Sequence, residues 1–497
     1  MANLKSLAKD TVIYGLSSIV GRFLNYLLVP LYTIKMSAAS GGYGIVTNIY
    51  GYTALLLVIL TFGMETTFFR FANKKEEKAS TVYGTTLAAV GIVALAFVAA
   101  VLCFLPAVSQ WMGYADHPSY VGVMAVVVGL DAFQAIPFAY LRYQHRPIKF
   151  ACLKLAFIFL NIGLNLLYFV VFPAMYQSNP TGWVSKIYSP EVGVGYVFYL
   201  NLVCTALITF GFYKELVRAP KGFDGALLKR MLSYSWPILV LGIAGILNQT
   251  ADKILFPHFY HQADMREQLG IYGACVKIAM IMALITQAFR YAYEPFVFGK
   301  SEEKDNRETY AKAMKFFIIF TLLAFIIVVA WMDVLKYLIG SDYWAGLKVV
   351  PIVMAAEIMM GIYFNLSFWY KLIDKTIWGA WFSGIGCVVL IAVNYFFVPR
   401  FGYMACAWGG VAGYGVAMLL SYFVGQRYYR IDYPLRDIAI YTLVAAAMYA
   451  LMTLLPLPAA WMRVTFGTLL ALGFLALIVR REHLTDMFAR VLKKIKR

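Results

Sequence analysis

The chain has 497 residues, 62% of them hydrophobic and only 14% charged, and its mean hydropathy is +0.71. Those values exclude a soluble globular protein. The net charge of +18 taken alone would suit a nucleic-acid binder, so the placement of the basic residues has to decide.

Apolar runs of about 20 residues, each long enough as a helix to cross a hydrocarbon core of roughly 30 Å, recur from end to end. They predict an all-α integral membrane protein of about fourteen transmembrane helices. The spans are 11–34, 44–69, 80–105, 119–141, 150–173, 194–213, 235–259, 270–298, 310–331, 345–370, 376–398, 401–424, 435–455 and 459–479. The first run, with Lys5 and Lys9 before it and "SAAS" after it, imitates a cleaved signal peptide, but its apolar stretch is too long and reads as a retained helix.

Charges inside such runs are costly, about 2.5 to 3.5 kcal/mol at mid-span, and usually face a bundle interior or a wet path. Nine fall inside: the acids Glu65, Asp131, Asp252, Glu294 and Glu357, and the bases Arg22, Lys253, Lys277 and Arg290. Arg22 lies about halfway along the first span, too far from either end to snorkel. It is either an anion ligand, since a guanidinium grips phosphate oxygens bidentately, or the partner of Glu65. Asp131 and Glu357 lie near mid-span in the fourth and tenth runs, where a carboxylate in a confined wet cavity would bind a coupling H⁺ or Na⁺; the alternative is hydrogen bonding to neighbouring helices. Arg290 and Glu294 are four residues apart, the spacing of a neutralised pair on one helix face. Lys253 and Lys277 lie near span ends, where long side chains snorkel, with Asp252 beside Lys253.

The other basic residues alternate between the two sides. With the N-terminus inside, cytoplasmic segments hold 32, including Arg70, Arg142, Lys154, Lys214 and Lys315, against seven outside: Lys35, Lys186, Arg266, Lys336, Lys348, Arg400 and Arg463. That asymmetry places both termini in the cytoplasm, so the charge is topological and calls for no nucleic acid. The tail from Arg480 to Arg497 reads as a basic amphipathic helix suited to anionic membrane lipids, or as a solvated end.

The chain also repeats itself. "YGIVTNIYGYTALLLVILTFGMETTFFRFANKKEEK" from Tyr43 and "YGACVKIAMIMALITQAFRYAYEPFVFGKSEEK" from Tyr272 each open with Tyr-Gly and place a glutamate, Glu65 or Glu294, at the same depth before an acidic and basic exit. Upstream, Pro30 falls against Pro257 and Asn25 against Asp252. Such self-similarity predicts two six-helix lobes related by a pseudo-twofold along the membrane normal. The expected organisation is an N-lobe over 1–213, a cytoplasmic basic linker over 214–230, a C-lobe over 231–426, two further helices over 427–480 and a cytoplasmic tail over 481–497. Pro30, Pro257 and Pro295 mark places where these helices can kink.

Several chemistries lack their residues. "GKS" at 299–301 has Glu294 where a phosphate-binding loop needs glycine, so no nucleotide site is expected. "HFYH" at 258–261 has metal-ligand spacing but lies in an aromatic interfacial end, so no metal is expected. The six cysteines show no CxxC and no loop pairs, and offer no disulfide framework. No segment outside the spans is long enough for a catalytic domain, and "GGVAG" at 409–413 reads as close helix packing.

The first helix ending "GRFLNYLLVPLYT", the following "YGIVTNIYGYTALLL", "DKILFP" in the seventh span and "GIYGACVKIAMIM" in the eighth together resemble the polysaccharide transporter family of the multidrug/oligosaccharidyl-lipid/polysaccharide exporter superfamily. The resemblance covers spans 1–12, with 13 and 14 matching the fourteen-helix members, and rests on the whole pattern.

It implies a bacterial inner-membrane flippase for O-antigen, lipopolysaccharide or capsule repeat units. Such a flippase moves undecaprenyl-pyrophosphate-linked oligosaccharide to the periplasmic leaflet by alternating access, with no cofactor beyond a coupling H⁺ or Na⁺. Polysaccharide polymerase and glycosyltransferases would be its partners. Arg22 matches the family's cavity arginine; Arg290 is read beside it as a second pyrophosphate ligand, a role the resemblance does not itself carry. Glu65, Asp131, Asp252, Glu294 and Glu357 would serve cavity and coupling roles. Asn25, Asn48 and Tyr50 are glycan contacts or, as intramembrane Asn often is, helix-to-helix hydrogen bonders, as are Asn161 and Asn165.

Competing readings are a peptidoglycan lipid-precursor flippase, a drug/cation antiporter, and, from other classes, a membrane-embedded glycosyltransferase or polymerase or a structural scaffold. An antiporter would carry mostly acids and twelve helices. An enzyme would show an acidic cluster in a long external loop.

Overall fold

The computed structural model describes Leu24 and residues 26–217, 222–299, 307–373 and 375–482; within 291–299 it describes the backbone and the side chain of Tyr293. Arg22, Asn25, the side chain of Glu294 and most of the basic tail lie outside the described residues. Those that are described form helices and connecting turns, with no strand among them.

The chain divides into two compact units, 1–273 and 274–497. The first holds α1 (Leu28–Lys35), α2 (Gly42–Thr61), α3 (Met64–Ala72), α4 (Ala79–Cys103), α5 (Leu105–Trp111), α6 (Pro118–Tyr143), α7 (Pro147–Leu166), α8 (Phe172–Ser178), α9 (Gly195–Gly211), α10 (Tyr213–Val217) and α11 (Gly225–Phe259). It also takes in the first part of α12 (Met265–Ala279). The second unit holds the rest of α12, α13 (Ile281–Gly299), α14 (Arg307–Ala330), α15 (Met332–Leu335), α16 (Val350–Leu366), α17 (Phe368–Leu372), α18 (Ile377–Phe401), α19 (Tyr403–Tyr428), α20 (Leu435–Leu454) and α21 (Ala460–Arg481).

Among the described residues, eleven helices are long and apolar enough to cross a membrane, or twelve if the α12–α13 pair, bent by 41°, is one span. The chain is therefore a multi-pass membrane protein. The shorter apolar helix α9 corresponds to the sixth predicted span, and the first predicted span lies mostly among the undescribed residues, so a count of fourteen is not established.

Two interruptions and one close approach have local causes. The predicted 44–69 helix is not continuous: Phe62 and Gly63 both take left-handed backbone, φ +50° and +66°, which closes α2 and restarts the chain as α3. Glycine suits this position twice over, for its φ and because a Cβ would stand 2.9 Å from Ile238 Cγ2 on α11. In the run 147–178, Pro173 has no N–H and its ring would collide with the Phe169 carbonyl in a regular helix. The chain relaxes there into a π turn over 167–171, where the Phe172 N–H reaches back to the Leu167 carbonyl. In the second unit α18 and α19 approach backbone to backbone, and a Cβ on Gly386 or Gly413 would lie 2.7 Å from the other's carbonyl oxygen. That is the close packing expected of "GGVAG".

The core of the first unit forms where α3, α4, α6 and α11 meet. Phe68, Met64, Tyr83, Ile136, Leu227 and Met231 are buried there, and the Tyr83 and Tyr140 rings stack at 4.0 Å. Offset stacking adds about 0.5–1.5 kcal/mol beyond area burial.

Candidate functional site

Inside the first unit, polar side chains link helices that are otherwise apolar. Asn201 and Thr205 lie one turn apart on α9. The Asn201 amide donates to the Tyr50 hydroxyl on α2 at 2.6 Å, and the Thr205 hydroxyl faces two acceptors, Asn201 Oδ1 at 3.3 Å and Asp131 Oδ1 on α6 at 3.5 Å. One hydroxyl proton serves both, and both distances are long, so the Asp131 carboxylate is held loosely. Gln134, almost one turn along α6, fastens the same helices by donating to the Thr205 carbonyl at 2.9 Å and the Thr209 hydroxyl at 2.8 Å. A second buried set joins α1 to α7: Tyr32 donates to Asn165 at 2.8 Å, and Asn165 donates to the Asn161 backbone at 2.8 Å.

Lower on α6, Arg142 forms a salt bridge with Glu65 and lies 5.0 Å from the Phe69 ring centroid. Glu65 occupies the first turn of α3, created by the break at Phe62–Gly63, so the positive end of that helix and the guanidinium both favour its charge. The partner is Arg142, which sequence reasoning had grouped with the cytoplasmic bases. Lys154 of α7 rests on the same helix, its Nζ 4.0 Å from the centroid of the Phe138 ring of α6. It too was counted as cytoplasmic, yet it lies inside a membrane-length helix.

A third set joins α2 to α11 and the start of α12. Lys253 pairs with Asp252 at 3.0 Å, and Tyr272 donates to the same carboxylate at 2.6 Å. Asn48 is buried; its amide donates to the Lys253 carbonyl at 2.7 Å and its oxygen accepts from Tyr114 at 2.8 Å. Tyr114 lies between helices, and burial pushes its phenol well above the usual range, which keeps it a donor. Tyr52 meets His258 at 2.9 Å. Glycines make this seam possible: a Cβ on Gly44 would run into the Arg266 carbonyl oxygen, and one on Gly273 into the Thr47 hydroxyl.

The ten residues expected to form the site therefore separate. Asp131 and Tyr50 share one hydrogen-bonded chain, Glu65 lies along α6 from it, and Asn48 and Asp252 belong to the glycine seam, where Asn48 acts as a helix-to-helix bonder. In the second unit the Arg290 guanidinium lies 4.8 Å from the Phe364 ring centroid and Glu357 is half-buried on α16. Arg22, Asn25 and the Glu294 side chain carry no described geometry, so the Arg22–Glu65 and Arg290–Glu294 pairings stay outside the described residues. Thr205, Asn201 and Lys154 were not singled out. The Asn-x-x-x-Thr spacing in the apolar run of α9 was the available signal.

Solved structures that share this fold include transporters. The lipid II flippase MurJ in an inward closed conformation matches with a TM-score of 0.72 at 14% identity, over 95% of this chain and 99% of that one. An inward-facing multidrug resistance MATE family transporter matches at 0.58 and 15% identity, over 87% and 95%. A transporter of the same superfamily from Pyrococcus furiosus, with a binding pocket described as of reverse polarity, matches at 0.51 and 14%, over 87% of this chain and 96% of that one. At such identities the likeness is one of fold. Comparison with curated protein sequences returned no match. The model of the polysaccharide biosynthesis protein family matches residues 7–292, more than half of the chain. With its many apolar helices and transporter fold, the chain belongs to the polysaccharide biosynthesis protein family.

Proposed function

We propose that the protein is a flippase that carries undecaprenyl-pyrophosphate-linked oligosaccharide from the cytoplasmic to the periplasmic leaflet of the inner membrane, by alternating access coupled to an ion at Asp131. Both termini face the cytoplasm in this reading. The observation that carries it is the chain Asp131–Thr205–Asn201–Tyr50, which ties α6, α9 and α2 together inside an apolar unit and leaves one carboxylate incompletely engaged. A carboxylate inside apolar packing with a long hydrogen bond suits ion uptake. Family membership supplies the cargo class, and Arg22 and Arg290 are the proposed pyrophosphate ligands.

The test is mass spectrometry of membrane lipids from cells lacking the protein, with a determination of which leaflet the glycan occupies. Accumulation of a complete lipid-linked repeat unit facing the cytoplasm supports the reading. Intact surface glycan with no accumulation overturns it. The MurJ-like fold favours one alternative, a peptidoglycan lipid-precursor flippase; accumulation of that precursor in the same experiment would select it.

A further inference from the structure

Lys154 has no role in the account above, and its surroundings are unusual for a lysine. It stands two turns into α7, within a helix of membrane length. Its ammonium rests 4.0 Å from the Phe138 ring centroid, and no hydrogen bond to it is found among the described residues. Phe138 lies seven residues from Asp131 and four from Arg142 on α6, spacings that put all three on one helix face. The charged groups acting on Lys154 are Asp131 and Arg142 from α6 and Glu65 from α3. Glu65 is already engaged by Arg142. Among the described residues the anion left for Lys154 is Asp131, whose one hydrogen bond there is the long one from Thr205.

We infer that Lys154 is a tethered cation serving the Asp131 centre, and that its presence makes the centre selective for a proton over Na⁺. This deepens the proposed function and rests on its coupling role for Asp131. The four oxygens around the centre, from Asp131, Thr205, Asn201 and Tyr50, are the kind of set a hard metal cation takes, but such an ion needs several of them at once. A fixed ammonium whose charge acts on the carboxylate repels a second cation. A proton needs only one carboxylate oxygen. When it binds, the ammonium keeps a favourable place over the Phe138 face.

Purified full-length protein, with thermal unfolding followed in NaCl and in choline chloride of equal concentration, tests this without the glycan cargo. Wild type and K154R are expected to melt at the same temperature in both salts. K154M keeps the aliphatic stem and removes the charge; it should gain about 2 °C or more in about 100 mM NaCl, and K154M/D131N should lose that gain. If K154M does not fold, K154Q takes its place, with binding of radioactive Na⁺ as the readout. Stabilisation of the wild type by Na⁺, or no Na⁺ response in either neutral variant, overturns the inference. Glycan export by D131N cells reports on the underlying reading separately. Normal export there removes the coupling role of Asp131, whereas lost export with no Na⁺ response in K154M removes only the role of Lys154.

Discussion

The charges inside the first unit and those that fasten α20 and α21 in the second are built differently. Asp131 and Lys154 lie within membrane-length helices, and among the described residues their hydrogen bonding is thin: one long bond to the acid, a ring face beneath the base. The clamps on α20 and α21 lie at helix ends and are engaged several times over. At one end Lys315 bonds Glu482 at 2.6 Å and Asp437 at 3.4 Å, Arg481 bonds Asp437 at 2.7 Å, and Tyr441 donates to Glu482 at 2.9 Å. At the other, Asp333 takes Arg463 at 2.5 Å and Lys336 at 2.8 Å, while Arg463 also donates to the Leu457 carbonyl at 2.9 Å. A charge set whose members satisfy one another holds helices in place. One left partly satisfied inside apolar packing is expensive to keep and is suited to exchanging an ion.

The comparison breaks first at Asp131. Asp131→Asn preserves shape and the Thr205 contact, so the protein should insert and accumulate normally, while glycan export falls to the level of cells lacking the protein. Export at the wild-type rate would reduce the interior set to another clamp. A steric change at the glycine seam should come next in size. Gly44→Ala forces a methyl group against the Arg266 backbone oxygen, which cannot swing aside as a side chain would. Overpacking of this kind costs about 1–3 kcal/mol, read as a lower melting temperature.

Arg463→Ala should cost less, about 1 kcal/mol, because the arginine is partly exposed and Lys336 remains on Asp333. Hydrogen exchange should accelerate over 332–338 and 456–463 and stay unchanged in the first unit. This clamp also carries a pH signature. The hydrogen bond from Arg463, and then that from Lys336, hold the Asp333 carboxyl below its ordinary value of 3.8. A depressed acid stabilises the fold fully above its ordinary value, and the contribution is lost as pH falls from there through the folded value. Exchange at 332–338 should therefore be flat from neutral pH down to about 4 after correction for intrinsic rates, and rise below that.

How much of this was legible beforehand follows from which physics is local. Apolar runs of membrane length are a property of consecutive residues, and the span from 79 to 103 was read within two residues at either end. The break at Phe62–Gly63 was missed because hydropathy does not register backbone handedness, although a lone glycine two residues before an intramembrane acid was visible. Arg142 and Lys154 were assigned to the cytoplasmic side by counting. Whether a base near a helix end reaches water or turns inward depends on what neighbouring helices offer, here Glu65 and the Phe138 ring. Asp131 was singled out from its depth alone. Its partners on α9 come from a helix some 70 residues away in sequence, and no local pattern pairs them.

The smallest effect is the control for the whole comparison. Lys312 bonds Glu308 one turn away on α14 at 2.5 Å, a shorter contact than most in the clamps, yet both side chains are largely exposed. Such a pair gives up hydration and side-chain freedom for an attraction that water screens, and commonly contributes nothing measurable. Lys312→Ala should leave the melting temperature unchanged within error, at low and at high salt. A clear loss of stability would mean that distance, rather than burial and the number of partners, sets what an ion pair contributes in this protein. The contrast between the clamps and the interior set would then lose its physical basis, since the Arg463–Asp333 bond is equally short.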